Sequence, residues 1–282
     1  MARRPTVSIV GCGRAGGAIG LALSRAGYPV TAAWSRTRAG RQRAQRLLEV
    51  PVFSEAAEVA AAGEVVVVGV PDDAISEVAG AISSADLSGK LVLHTSGGVS
   101  VQALAAAKSA GARTGCMHLL QTLPDAVRGA ETLQGTAVAV TCDPRDRAAL
   151  FRLARSWGGR PFPLADKDKT LYHAAAVFAS NYVVTSIWSA LRILERVGVP
   201  NARQMLAPLA QASVQNVTTM PAERAITGPV VRGDTETVKR HIDALGHTDP
   251  TGGRMTDAYR SLARLTAALA RLDLTAFDKA TA

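Results

Sequence analysis

Short apolar runs alternate with alanine-rich amphipathic stretches over the first 165 residues of the chain. The apolar runs lie at residues 6–10, 30–34, 64–70, 90–96, 112–118 and 136–141. The middle runs, such as EVVVVGV, are continuous, which is typical of parallel strands that are covered on both faces. The amphipathic stretches, at 15–26, 37–48, 72–83 and 100–109, predict helices that connect such strands in right-handed crossovers. The pattern therefore predicts a doubly wound α/β domain.

The strand pattern ends after residues 159–168, GRPFPLADKD. Beyond it only helical patterns remain, at 170–191, 200–217, 234–245 and 254–271, separated by turn sequences rich in glycine and proline. We place the boundary near residue 165. This predicts an α/β domain over 1–165 and an all-α domain over 166–282.

The helical pattern at 170–191 carries no formal charge over a length that can cross a bilayer. It nevertheless contains a histidine, an asparagine and several hydroxyl side chains, and the rest of the chain is charged and broken by loops. A helix that is apolar on nearly all sides is typical of a buried position in a large domain. We therefore expect a central buried helix here, with no membrane partner.

The net charge of +9 comes almost entirely from residues 1–49, which hold nine arginines and a single carboxylate, Glu49. A basic patch of this kind suits either a nucleic acid or one small polyanion. The three cysteines are widely spaced and form no CxxC pair, so we predict neither disulfides nor a metal site. The N-terminus lacks the apolar segment of a secretory signal, and we expect a cytoplasmic protein.

The first predicted strand is followed by a GxGxxG pattern that opens a helix. This context is that of a dinucleotide-binding turn in a Rossmann domain: Gly11 permits the turn, Gly13 lets the backbone approach a diphosphate, and Gly16 lets helix and strand pack closely. The N–H groups at the helix start, including those of Arg14 and Ala15, are expected to meet the anion.

The second predicted strand ends in Ser35, Arg36 and Thr37, and no carboxylate occurs before Glu49. An NAD site normally has an acidic residue at this position to hold the ribose hydroxyl, and that residue would repel a 2′-phosphate. A guanidinium flanked by hydroxyls binds such a phosphate. We therefore predict NADP(H) as the cofactor, which also accounts for the basic patch without nucleic acid. The alternative is that this segment only caps a solvated helix.

Ligands of open α/β sheets lie beyond the carboxyl ends of the strands. We therefore predict that the residues following three of the strands meet the cofactor or the substrate. They are Val70, Pro71, Thr95, Ser96, Gly97, Gly98, His118 and Gln121. Reduction of a carbonyl requires a proton donor, and histidine is the side chain whose ordinary pKa lies nearest to neutrality.

The uncharged helical pattern carries a polar stripe formed by His173 and Ser180, with Asn181 on its flank and Lys169 one turn before His173. Polar groups on an apolar helix must be satisfied either by neighbouring helices or by a cleft with a ligand. Both alternatives stay open at this stage. His94, inside a predicted strand, is expected to be a core histidine, and the remaining histidines, His241 and His247, are expected at the periphery of the helical domain.

Seven segments of the chain resemble those of a family of Rossmann-like NADP oxidoreductases that carry a C-terminal helical domain of unknown function. They read VSIVGCGRAGGAIG, WSRT, VPDDAI, LHTSGGVS, HLLQTLPD, YHAAAVFASNY and TGPVVRGD. That family is similar to ketopantoate reductases, β-hydroxyacid dehydrogenases, pyrroline-carboxylate reductases and prephenate dehydrogenases. The resemblance implies a C-terminal domain like that of 6-phosphogluconate dehydrogenase and a homodimer assembled through the C-terminal helices.

The sequence differs from two of these related families at the residues that donate the proton. Ketopantoate reductases and β-hydroxyacid dehydrogenases use a lysine followed one turn later by asparagine, whereas here His173 is followed at that spacing by Val177, and Asn181 comes a turn later. His173 or Lys169 is therefore expected to take the lysine's role. The SGG segment resembles the β-hydroxyacid substrate loop, and His118 resembles a histidine of prephenate dehydrogenases.

We therefore expect an NADPH-dependent oxidoreductase that reduces a small, ketopantoate-like 2-oxo acid. The predicted catalytic residues are His173, Asn181, Ser96 and His118, and the predicted substrate-binding residues are Gly97, Gly98, Gln121 and Lys169. Arg232 and Asp234 are expected either to close over the substrate or to form a structural ion pair. Three alternatives remain: an imine reductase, a prephenate-type dehydrogenase and a non-catalytic NADP sensor.

Overall fold

Seven strands form a single sheet in the computed structural model, which describes residues 3–281. They are β1 (Val7–Val10), β2 (Val30–Trp34), β3 (Val65–Val68), β4 (Leu91–His94), β5 (Arg113–Leu119), β6 (Ala137–Cys142) and β7 (Arg160–Pro163). Their order in the sheet is β2-β1-β3-β4-β5-β6-β7. Strands β1 to β5 are parallel, as predicted for a doubly wound domain, which confirms the predicted fold class.

The sheet differs from the predicted one at its β6–β7 edge. Strand β6 runs antiparallel to β5, and β7 pairs with β6 in parallel. Strand β7 was not predicted because it contains Pro161 and Pro163, which cannot donate to a ladder and are tolerated at a sheet edge.

Eight helices accompany the sheet within the part of the chain that the structure describes. They are α1 (Arg14–Arg25), α2 (Arg38–Leu48), α3 (Ala56–Ala61), α4 (Ile75–Ile82), α5 (Ala105–Ser109), α6 (Ala126–Glu131), α7 (Arg147–Ser156) and α8 (Lys169–Ala179). Short 3-10 turns at Asp72–Ala74, Val101–Leu104 and Asp166–Asp168 precede α4, α5 and α8. The four helices predicted from the amphipathic stretches are confirmed.

Only helices follow among the described residues. They are α9 (Asn181–Arg196), α10 (Ala202–Thr219), α11 (Ala222–Ala225), α12 (Thr235–Thr248), α13 (Arg254–Leu269) and α14 (Leu274–Thr281). The chain divides into two compact units, Met1–Asn181 and Tyr182–Ala282. The first unit thus includes α8, which follows the last strand, and the domain bounds of 1–165 and 166–282 stay a prediction.

Alternate residues of the central strands enter two different apolar clusters of the first unit. On β3, Val65 and Val67 belong to one cluster and Val66 and Val68 to the other, and all four are buried. Both faces of the sheet are therefore covered, which explains the continuous β-branched run.

The glycine turn between β1 and α1 is closed by direct backbone contact. Gly11 has a φ of +99°, which favours glycine. A methyl group added to Gly16 would collide with the Gly11 carbonyl oxygen, and one added to Gly69, after β3, would lie 2.6 Å from the Gly16 Cα. Gly13 has no neighbour closer than 3.6 Å to its Cβ position, so space remains beside it.

The second unit has its own small core on α12, α13 and α14, which includes Val238, Ile242 and Phe277. The Asp234 carboxylate accepts a hydrogen bond from the Thr237 N–H and caps α12, while closure of Arg232 and Asp234 over a substrate stays a prediction. His241 is hydrogen-bonded at 2.8 Å to the hydroxyl of Tyr259 on α13, in an exposed position.

The uncharged helical stretch is not the buried helix that its sequence predicts. It forms two helices, α8 and α9, which are separated at Ser180. The span Asp166–Arg196 is long and apolar enough to cross a membrane by length and composition alone, with a mean hydropathy of 1.3, yet none of that apolar window is buried. Apolar side chains such as Leu171, Val184 and Trp188 are exposed, so the expectation of burial within the chain is wrong.

Replacing Gly16 with alanine tests the backbone contact at the glycine turn. The added methyl group cannot fit against the Gly11 carbonyl, so α1 must shift, and we expect the free energy of unfolding to fall by about 1–3 kcal/mol. Urea unfolding measures the change. Gly80 is the matched control: it is exposed in α4 with nothing within 4 Å of its Cβ position, so Gly80→Ala should stabilise by about 0.5–1 kcal/mol. Equal effects of the two variants would contradict the contact.

Candidate active site

A cavity of about 200 Å³ opens where the glycine turn meets the ends of β2 and β3. Its lining includes most of the predicted cofactor residues: Gly11, Gly13, Ser35, Arg36, Thr37, Val70 and Pro71. Trp34, Gly40 and Arg43 line it as well, although none of them was predicted from the sequence. Gly40 and Arg43 are three residues apart on α2, a spacing that places them on one helix face and is visible in the sequence.

Hydrogen bonds fix the loop that carries Arg36. The Thr37 hydroxyl accepts from the Gly40 N–H and caps α2, and the Ser35 hydroxyl accepts from the Cys12 N–H at 3.4 Å. The Arg41 guanidinium donates to the carbonyls of Ser35 and Arg36. Thr37 therefore caps α2 and also lines the cavity.

Two guanidinium groups, those of Arg36 and Arg43, face this cavity with a single carboxylate, Glu77, in the same lining. Neither arginine forms an ion pair with any residue in 3–281. Helix α1 begins at the same place with Gly13 as N-cap, without a capping side chain and without an acidic residue in its first turn. The cavity thus offers positive charge and backbone donors to an anion.

A second, larger cavity of about 830 Å³ opens in the first unit between the loop after β5 and helix α8. Its polar lining brings together Arg14, His118, Gln121, Thr122, Tyr172, His173, Ser180 and Asn181. Of the predicted catalytic residues it contains His118, His173 and Asn181. The rest of the lining is apolar, as is usual for a small-molecule site, and no carboxylate of the described residues belongs to it.

Two imidazoles converge on the backbone of Gly97. A Cβ atom on Gly97 would lie 2.6 Å from Nδ1 of His173 and 2.7 Å from Nε2 of His118. The two rings are 5.7 Å apart and nearly perpendicular. Only glycine permits this approach, and Nδ1 of His173 is buried without a hydrogen-bond partner among the described residues.

Tyr172, which was not predicted as a site residue, contacts the ring nitrogen of His118 that faces away from Gly97. Its hydroxyl lies 2.8 Å from Nδ1 of His118. Burial raises the pKa of Tyr172 to about 12, while burial together with the charges of His173 and Lys169 lowers the pKa of His118 to about 4. At neutral pH a protonated hydroxyl therefore meets a neutral imidazole. Donation by that hydroxyl to Nδ1 leaves the imidazole proton on Nε2, the nitrogen that faces Gly97.

Hydrogen bonds of Ser96 and Lys169 hold the loop that carries Gly97. The Ser96 hydroxyl accepts hydrogen bonds from the N–H groups of Gly98 and Val99, at 3.3 and 3.1 Å. Lys169 donates to the Ser96 carbonyl and to the Cys116 sulfur, both at 3.0 Å, and its side chain is only 1% exposed.

The structure thus places Ser96 and Lys169 under the loop rather than in the lining of the larger cavity. A catalytic role for Ser96 and direct substrate binding by Lys169 stay predictions.

His94 is a buried core residue, as its position in a strand predicted. Its Nδ1 accepts a hydrogen bond from the Ser96 N–H at 3.2 Å, and burial lowers its pKa to about 4. Thr95 is buried next to it. Within residues 3–281 no group of three or more histidine, cysteine or acidic side chains is arranged to hold a metal ion.

The fold and the two cavities are those of one class of protein, in which a doubly wound domain of the dinucleotide-binding type is followed by a helical domain. Models of two known families match the chain in this order, and the second match begins before β6 and so includes the last two strands of the sheet. Residues 1–119 match the Rossmann-like domain, and residues 136–266 match the domain of unknown function DUF2520. The chain thus combines a Rossmann-like domain with a DUF2520 domain, which confirms the resemblance predicted from its motifs. Its sequence matches no curated protein.

Three solved structures are similar along nearly the whole chain. A proposed NADP oxidoreductase from Bacteroides fragilis has a TM-score of 0.81 at 21% identity, covering 94% of this chain and 98% of its own. An imine reductase from Myxococcus stipitatus, in complex with NADP+, has a TM-score of 0.68 at 20% identity, covering 97% and 99%. A pyrroline carboxylate reductase from Plasmodium falciparum, with NADP bound, has a TM-score of 0.61 at 15% identity, covering 94% and 98%. At these identities the likeness shows a shared fold.

Proposed function

We propose that the protein is an NADPH-dependent reductase. The observation that carries the proposal is the smaller cavity, where Arg36 and Arg43 flank the hydroxyls of Ser35 and Thr37 beside an uncapped helix start. A phosphate monoester binds such a set of donors through charge-assisted hydrogen bonds. The solved structures from Myxococcus stipitatus and Plasmodium falciparum both contain NADP, which supports the same cofactor here.

The residues present fit NADPH along the edge of the sheet. The guanidiniums would hold the 2′-phosphate, the amides at the start of α1 would hold the diphosphate beside Gly13, and Val70 and Pro71 would flank the adenosine half. The bound cofactor supplies the hydride. The larger cavity then holds the substrate, because it lies at the end of the sheet beyond β5.

We propose that His173 supplies the proton. Its Nδ1 has no protein partner among the described residues, and it faces the same Gly97 backbone as His118. Proton donation from a positioned side chain contributes about 10²–10⁴-fold to such reactions. His118, fixed by Tyr172, is placed to donate a hydrogen bond to the same substrate, and Asn181 and Gln121 line the cavity that orients it.

A small 2-oxo acid is the first substrate that we propose. The lining of the larger cavity contains a guanidinium, two imidazoles and no carboxylate of the described residues, so it favours an anionic or neutral substrate over a cation. An imine is the second candidate, supported by the similarity to the imine reductase of Myxococcus stipitatus over 97% of this chain. A protonated imine is a cation, and the lining offers it no counter-charge.

We also propose that the protein is a homodimer assembled through the C-terminal helices. Tyr182, Val184, Trp188 and Ile193, all on α9, are 37–66% exposed, and so much exposed apolar surface on one helix is typical of an interaction site. Light scattering should give twice the mass of one chain, and Trp188→Glu should shift it toward a single chain. A monomeric wild-type protein would contradict the proposal.

Replacing Arg36 with glutamate tests the cofactor. A carboxylate beside the 2′-phosphate replaces attraction with repulsion, so we expect the Kd for NADPH to rise about 10–100-fold while that for NADH stays unchanged or falls. Calorimetry with both dinucleotides measures this. Arg46→Glu is the matched control, because Arg46 lies on α2 outside the cavity lining and carries the same charge change. Equal losses for both dinucleotides would refute the assignment.

Replacing His173 with alanine tests the reaction. We expect wild-type protein to oxidise NADPH in the presence of pyruvate or ketopantoate, and His173→Ala to lower kcat about 10²–10⁴-fold with an unchanged Kd for NADPH. His247→Ala, in the second unit, is the control and should be fully active. Turnover of cyclic imines alone would favour the second candidate. Tight NADPH binding without turnover of any carbonyl, imine or alcohol would favour a sensor instead.

A further inference from the structure

Lys169 is the largest fully buried side chain of the described residues. Its Nζ is bonded to the Ser96 carbonyl and to the Cys116 sulfur, and no carboxylate in residues 3–281 forms an ion pair with it. Burial of a cation without a counter-charge costs stability, and an apolar side chain of similar length would be cheaper. A role other than stability is therefore the expected one.

The bond from Lys169 fixes the direction of the Ser96–Gly97 peptide group. The Ser96 carbonyl is held toward the interior by two buried donors, Lys169 Nζ at 3.0 Å and Cys116 Sγ at 3.1 Å. In a trans peptide the N–H points opposite to the C=O. The Gly97 N–H is therefore directed away from Lys169 and Cys116.

Among the three amides that follow Ser96, those of Gly98 and Val99 donate to the Ser96 hydroxyl. The Gly97 N–H donates to no acceptor within the described part of the chain. Gly97 is itself buried, and an unpaired buried N–H is uncommon and costly. Gly97 does not itself line the larger cavity, but its Cβ position faces two residues that do, His118 and His173.

A positive charge on the carbonyl of a peptide group strengthens the N–H of that group as a donor, because bonds in a chain polarise one another. We propose that Lys169 is a positioning residue: through the Ser96 carbonyl it aims and polarises the Gly97 N–H toward the anionic oxygen of the substrate. This inference rests on the proposed reductase function. It assigns Lys169 an indirect role, in place of direct contact with the substrate.

The substitution K169M removes the donor and the charge while keeping the length of the side chain. We expect kcat/KM for the 2-oxo acid to fall about 10–100-fold, since displacement of a transition-state donor has effects of this order. The Kd for NADPH should stay within about twofold of the wild-type value. K169R keeps a cationic donor and should therefore retain most of the wild-type activity. If Lys169 only filled space, K169R would have no advantage over K169M.

The pH profile gives a second readout. The charge of Lys169 is one of the causes that lower the pKa of His118, so its removal in K169M should move the His118-dependent limb of the profile to higher pH. K169R should leave that limb in place. Urea unfolding of K169M should show a chain at least as stable as wild type, which separates this effect from misfolding.

Several outcomes overturn the proposal. One is an active wild-type enzyme whose kcat/KM is unchanged in K169M. Another is a loss confined to NADPH affinity, which would assign the Gly97 N–H to the nicotinamide.

Inactive wild-type protein would instead contradict the proposed function. In that case the Gly97 amide resonance of ¹⁵N-glycine-labelled protein decides the role of Lys169. It should shift between wild type and K169M and respond to oxamate, an unreactive 2-oxo acid mimic, in wild type alone. An unmoved resonance overturns the proposal.

Discussion

The close approach of three backbone segments at Gly11, Gly16 and Gly69 is the constraint on which the rest of the structure depends. No methyl group fits between them, so α1 starts directly against the carboxyl ends of β1 and β3. This contact leaves the first amides of α1 open at the sheet edge, next to the arginine-lined cavity after β2. The same residues thus set both the packing of the first unit and the position of its anion site.

A second constraint lies at the end of β4, where several side chains and one peptide group adopt arrangements that lower the stability of the fold. Among the described residues, buried Lys169 has no carboxylate partner, the Gly97 N–H has no acceptor, and two imidazoles lie against Gly97. Each of these features costs free energy in a folded protein. All three features lie around Gly97, beyond the carboxyl end of β4. Such a cluster is expected at a site where a bound ligand supplies the missing hydrogen bonds.

Sequence reasoning predicted the features that follow from local patterns. Continuous apolar runs gave the central strands, and the glycine spacing gave the turn, because both depend on neighbours in the chain. It did not predict the antiparallel direction of β6, since an apolar run carries no sign of direction. Tyr172 was missed because its role depends on His118, which is distant in sequence, whereas helical spacing could have placed Arg43 beside Gly40. Lys169 was expected at the substrate because burial of its charge is not visible in composition.

A crystal structure with NADPH bound tests the central claim most directly. The account predicts the 2′-phosphate within hydrogen-bond distance of Arg36 and Arg43, the diphosphate on the amides that begin α1, and nicotinamide C4 facing the cavity that holds His173. A dinucleotide whose ribose makes no contact with these arginines, or whose nicotinamide lies away from His173 and Gly97, would contradict it.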